Sequence, residues 1–176
     1  MSRRRLVWLA LGLFGCLMLV GRWLVPLGYP TAIRQASLEA GLDPYLVASV
    51  VFQESRGRAQ ARSHVGAVGL MQLMPETAAW IGHRHDVSWQ AEELADPELN
   101  LRLGTLYLRY LMREFANNET SALAAYNAGP GVVSGWQGEG SLEPDEIRYP
   151  ETRHYVRRIQ AVRRVLPLLY PELALR

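Results

Sequence analysis

The apolar and polar positions divide the chain into one uninterrupted hydrophobic run and a series of helix-length segments. The run comes first. After MSRRR, the 16 residues from Leu6 to Gly21 carry no charge, and as a helix they span roughly 24 Å. A bilayer core needs about 30 Å, which residues 6–28 reach if Arg22 snorkels to the far interface. Trp8 and Trp23 stand near the two ends, where interfacial anchors sit.

The body predicts helices with short breaks. PTAIRQASLEAG starts at Pro30 and stops at Gly41, a C-terminal cap. In LDPYLVASVVFQES, Asp43 is the N-cap and Pro44 the first helical residue. Leu46, Val47, Val50, Val51 and Phe52 lie almost all round that helix, so it is expected to be buried. RGRAQARSHVGAVG reads as a loop, with room for a two-stranded ribbon near 60–70. PETAAWIG predicts a helix opened by Pro75 and closed by Gly82, and HRHDVSWQAEEL reads as irregular. A long helix begins at the Asp96 cap and carries its core stripe on Leu99, Leu103, Leu106, Tyr110 and Met112 to Phe115. TSALAAYNAG is a short helix ending at Gly129, and the Gly- and Pro-rich segment 130–150 reads as a mobile loop. PETRHYVRRIQAVRRVLPLLY is the last helix, with Tyr155, Ile159, Val162 and Leu166 on one face. No useful strand alternation occurs, so the fold class is mainly α, one helical domain over residues 29–176 behind an N-terminal anchor over residues 1–28.

Composition narrows the function. Hydrophobic residues at 49% and charged residues at 20% describe a globular chain. All 19 basic residues are arginine, and Arg3, Arg4, Arg5 and Arg22 fall in a segment with no acid. Beyond residue 28, 15 arginines face 17 acids, so the body is near neutral and no nucleic-acid-binding face is expected. The arginines ahead of the apolar run predict a cytoplasmic N-terminus and an extracytoplasmic domain on a single-pass membrane anchor. A cleaved signal would need a small-x-small site, and Ala10-Leu11-Gly12 comes too early. A lipoprotein signal would use Cys16, but apolar LMLV follows it where a polar linker is usual. The uncleaved anchor is the expected form, and all three forms export the domain. Cys16 is the single cysteine, which excludes disulfides and cysteine zinc sites. His83 and His85 lack a third ligand, and no phosphate-binding glycine motif is present, so neither metal nor cofactor is expected.

Glu54 is the first candidate for chemistry. It ends an apolar helix, and no second carboxylate follows until Glu76. Desolvation favours its neutral acid, a form able to protonate a leaving oxygen. Taken alone it also reads as a solvated glutamate at a helix end. Gly66 and Gly69 permit a close backbone approach, and Gln72 sets an amide among apolar residues. Tyr126 and Asn127 stand at a helix end, where alone they read as caps.

Four segments in order carry more than any one: ES at 54–55, GAVGLMQLMPETA at 66–78, AYNAGPG at 125–131 and YPETRHYV at 149–156. Together they make the chain resemble the lytic transglycosylases with a soluble-lytic-transglycosylase (SLT) catalytic domain, over roughly residues 30–170. The resemblance implies a goose-type lysozyme-like fold and peptidoglycan glycan strands as substrate. It implies that Glu54 is the single acid/base, cleaving between N-acetylmuramic acid and N-acetylglucosamine without water and closing a 1,6-anhydro ring. It also implies substrate contacts at Ser63 and Gln72, a wall beneath a sugar at Met74, and Tyr126 and Asn127 facing Glu54, with Tyr155 a further contact near it. Arg56 and the loop 132–146 depart from the usual pattern and bear on the outer subsites. Two other readings remain. A hydrolase of the same fold would need a second acid, with Glu76, Asp86 and Asp96 nearest in sequence. A non-catalytic glycan-binding module would not need Glu54 at all.

Overall fold

The computed structural model describes residues 2–136 and 140–174. Its first helix, α1 (Arg3–Leu24), buries none of its residues and is long and apolar enough to cross a membrane. At about 1.5 Å per residue its 22 residues run about 33 Å. The remaining helices are α2 (Pro30–Ala40), α3 (Pro44–Ser55), α4 (Pro75–Arg84), α5 (Pro97–Glu114), α6 (Glu119–Ala128), α7 (Pro130–Ser134) and α8 (Pro150–Leu169). Among the described residues there is no strand; the 60–70 segment makes only isolated antiparallel bridges, Arg62 with Val68 and Val68 with Leu73.

Local chemistry sets the helix ends. Asp43 accepts a hydrogen bond from the Tyr45 amide, and Asp96 accepts from Glu98 and Leu99, each one residue ahead of a proline at the first helical position. Gly41 closes α2 at φ 64°, its amide and that of Leu42 returning to the Leu38 and Ser37 carbonyls.

Burial follows from the apolar pattern. Val47, Ala48, Val50 and Val51 of α3 have 0% exposure, so this helix lies inside the molecule, packed between α8 and α2. α5 and α6 extend the same core through Leu101, Leu108, Leu111 and Leu123. Arg163 of α8 ties it to two helix starts. Its Nε donates to Asp43 Oδ2 at 3.0 Å, and its guanidinium also reaches Glu119 at the start of α6.

Three expectations change. α4 runs on to Arg84, because Gly82 is needed for packing and not for a left-handed turn: a Cβ there would lie 3.0 Å from the Val87 carbonyl and the Trp89 ring. The irregular stretch after it holds a 3₁₀ turn, Ala91–Ala95, closed by a capping box between Gln90 and Glu93. The mobile loop is the larger correction. Within 130–150 the chain forms α7 and a 3₁₀ turn, Pro144–Glu146, and buries Val133, Leu142 and Ile147. Arg153 of α8 donates to the Ile147 carbonyl, fixing its far end. Residues 137–139 of that expected loop lie outside the described residues.

Candidate active site

Glu54 occupies the last turn of α3, which stops because Arg56 adopts a left-handed conformation at φ 53°. The helix is buried behind Glu54 and the loop 56–74 wraps over its end. Ser55 fastens the two together, donating to the Leu70 carbonyl at 2.8 Å. From α8, the Tyr155 hydroxyl donates to Glu54 Oε1 at 2.6 Å.

Burial pushes the Glu54 carboxyl from the ordinary 4.5 up to about 7, with the Tyr155 hydrogen bond opposing the shift. The group therefore carries a proton through mildly acidic conditions and is poised to exchange it near neutrality. Burial, followed by the Glu54 charge, raises the hydroxyls of Tyr126 and Tyr155 well above the ordinary tyrosine value. Both stay neutral donors.

The glycine loop is held from beneath by Asn100 of α5, which has 0% exposure. Its Oδ1 accepts from the Met71 amide at 2.8 Å, and its Nδ2 donates to the Val68 and Leu94 carbonyls, each at 2.9 Å. Gly69 lies against this amide at φ 85°, and a Cβ there would meet Nδ2 at 2.3 Å. Sequence reading missed Asn100. A polar residue on the apolar stripe of a long helix was the available signal.

The structure brings Tyr126, Asn127 and Tyr155 to the Glu54 end of α3, and holds Ser63 and Gln72 by bonds within their own loop. Tyr126 ends α6 beside Glu54, but its hydroxyl donates to the Met71 carbonyl at 2.8 Å; the tyrosine bonded to the carboxyl is Tyr155. Asn127 Oδ1 accepts from the buried Thr152 hydroxyl at 2.8 Å, a partner not foreseen. Gln72 adopts φ 46° and its Nε2 donates back to the Gly69 and Ala61 carbonyls, at 3.0 and 3.2 Å, shaping the loop from within. Ser63 is half-buried and accepts from the Ala67 amide at 2.9 Å, also within the loop. Met74 is half-buried at the N-cap of α4.

An open depression of about 480 Å³ adjoins Tyr155, lined also by Gln53, Asn127, Tyr149, Glu151 and His154. Beside it Trp136 and Tyr149 meet edge to face at 4.8 Å. Away from Tyr126 a second aromatic row runs through Tyr107 at 5.4 Å, then Tyr110 at 6.4 Å, then Trp80 at 4.7 Å. Neither row was read from the sequence, because tyrosines spaced along α5 look like core until the neighbouring helices are placed.

Glu54, bonded by Tyr155, stands at the end of α3, and Ser55 beside it is tied to the glycine-containing loop. The transglycosylase SLT domain model matches residues 31–147. The chain belongs to this family. Over 144 residues it is 35% identical to the soluble lytic murein transglycosylase of Escherichia coli K12, an alignment covering 77% of this chain and 22% of that protein. It is 34% identical over 115 residues to the membrane-bound lytic murein transglycosylase C of Cronobacter sakazakii, covering 60% of this chain and 32% of the relative. Its fold superposes on the lytic transglycosylase Slt of Pseudomonas aeruginosa, in an inactive glutamate-to-glutamine mutant, with a TM-score of 0.77 at 31% identity over 82% of this chain and 24% of that one. The chain thus spans about a quarter or less of the soluble relatives it matches, and the SLT fold is the part it shares with them.

Proposed function

We propose that this SLT-family chain is a peptidoglycan lytic transglycosylase that cleaves the bond between N-acetylmuramic acid and N-acetylglucosamine. The observation that carries the reading is the buried Glu54 carboxyl, raised to about 7 and bonded to Tyr155. The names of the relatives, soluble and membrane-bound lytic murein transglycosylases, support the substrate class.

The protonated Glu54 gives its proton to the glycosidic oxygen as the bond to the muramoyl C1 breaks. The Tyr155 hydroxyl steadies the carboxylate that forms. That carboxylate then takes the proton of the sugar's own 6-hydroxyl, whose oxygen closes onto C1 as a 1,6-anhydro ring. Glu54 ends protonated, ready for the next turnover. Such a reaction needs one carboxyl, whereas the usual glycosidase schemes need two. The acid that lines the adjoining depression, Glu151, is an exposed first-turn residue of α8, where it suits the helix dipole. The hydrolase candidates have other places: Asp96 caps α5, Glu76 is an exposed first-turn residue of α4, and Asp86 is exposed at φ 53°.

Tyr126 and Asn127 border the reacting sugars in this reading, Gln72 and Ser63 keep the glycine loop in register, and Met74 walls the groove. α1 anchors the protein as a single-pass membrane span, with Arg3, Arg4 and Arg5 on the cytoplasmic side and the catalytic domain on the cell-wall side.

Product mass tests the function. Incubated with purified peptidoglycan, the protein is expected to release muropeptides one water lighter than ordinary disaccharide-peptides and inert to borohydride. Reducible products of ordinary mass would establish hydrolysis. Glycan binding without products would establish a binding module.

A further inference from the structure

The end of α1 is fixed to the catalytic fold, not hung from a free linker. A Cβ on Gly21 would lie 2.4 Å from Leu169, so the last turns of α1 pack closely on the end of α8. Met18 and Val25 pack on the same core. Arg22 lies over the Tyr170 ring at 4.2 Å and pairs with Glu172. The Tyr170 hydroxyl accepts from the Leu27 amide at 3.0 Å and donates to the Val25 carbonyl at 2.8 Å, closing the junction.

This attachment places a second apolar surface beside the anchor. Val165 and Leu168, three residues apart and so on one face of α8, are 44% and 59% exposed. Leu168 adjoins Leu169, the residue that meets α1. Arg164, next to Val165, and Arg158, about two turns before it, are exposed and have no ion-pair partner among the described residues. Trp23 and Leu24 add exposed apolar surface at the end of α1 itself.

We propose that the C-terminal end of α8 lies in the bilayer interface, with Val165 and Leu168 among the acyl-chain ends and Arg158 and Arg164 on anionic lipid headgroups. The inference rests on α1 spanning the membrane. Its grounds are continuity with that span, an apolar stripe on its flank, and cationic side chains where headgroups would lie. α8 then works as a fixed strut. Tyr155 lies 13 residues before Leu168, about 20 Å along the helix axis, so the reacting carboxyl stays within about that height of the lipid and acts on the glycan nearest the membrane.

Environment-sensitive labels on the full chain test this. With the native cysteine removed (Cys16→Ser), single cysteines are introduced by Leu168→Cys, Val165→Cys, Leu38→Cys or Leu13→Cys and carry a nitrobenzoxadiazole dye. Each chain is reconstituted in phosphatidylethanolamine–phosphatidylglycerol vesicles containing spin-labelled lipids. Dyes at 168 and 165 are expected to shift blue and be quenched by shallow spin labels. The dye at 13 is expected to be quenched by deep ones, and that at 38, on exposed α2 surface, to resemble dye in water. Water-like dyes at 168 and 165 with a quenched dye at 13 overturn the docking and leave the anchor standing. A water-like dye at 13 overturns the anchor and the docking with it. Quenching at 38 equal to that at 168 overturns the specific face.

Discussion

Two tyrosines at opposite ends of α8, one within it and one just past it, use their hydroxyls in different ways. Tyr155, near the start of the helix, donates to a buried carboxyl whose protonation it opposes. Tyr170, just past its end, bridges two backbone groups and changes no charge. The first bond sits where burial has made an ionisable group adjustable; the second satisfies polar backbone that would otherwise be buried unpaired. One helix therefore has a bond to an ionisable group near its start and a bridge between backbone groups just past its end, and the difference lies in the partner.

Removing the carboxyl breaks the comparison most completely. Glu54→Gln is expected to abolish release of anhydro-muropeptides while the fold persists, and product analysis checks it. The same variant changes stability in a pH-dependent way. Between 4.5 and about 7 the folded chain keeps a proton that the unfolded chain has lost, so the carboxyl weakens the fold increasingly across that window and fully above it. Glu54→Gln is thus expected to melt like the parent below the window and higher than the parent above it, as calorimetry at several pH values will read.

Tyr155→Phe comes next. A hydrogen bond to a charged group contributes ~1.5–3 kcal/mol, so turnover is expected to fall on the order of ten- to a hundredfold. Because Tyr155 lowers the Glu54 pKa, its loss raises it further. The parent is expected to lose kcat/KM as pH rises through about 7, and in Tyr155→Phe that fall is expected to move to higher pH, as a pH–rate profile will show. Tyr170→Phe leaves the buried Leu27 amide unpaired. It is expected to cost ~1–3 kcal/mol of stability in denaturant titration, with no movement of the pH profile. A moved profile would erase the distinction between the two tyrosines. Arg22→Ala removes an exposed ion pair and is expected to change stability by less than about 1 kcal/mol in the same titration.

Much of the fold was legible because its signals are local. Asp43-Pro44 and Asp96-Pro97 are cap and first-turn pairs that act within a few residues, and both open helices where expected. The all-round apolar character of α3 predicted its burial. The segment 130–150 was misread for the opposite reason. α7 is five residues long, and what holds the segment is Val133, Leu142 and Ile147 sinking into a core built by other helices. Of the site, Glu54 and Tyr155 were legible through motif order, whereas Asn100, Thr152 and the two aromatic rows needed the packing of α5, α6 and α8 to show what they touch.

The sequence by itself determined the helical class, the long apolar N-terminal helix, the lone carboxyl ending a buried helix and the four ordered segments, since periodicity, capping and composition are properties of neighbours along the chain. Only the tertiary structure decided that Tyr155 and not Tyr126 bonds Glu54, that Asn100 braces the glycine loop, and that α1 is fastened to α8. Those contacts join residues from 29 to about 150 positions apart, and hydrogen bonds and burial depend on distance in space, which no local pattern encodes.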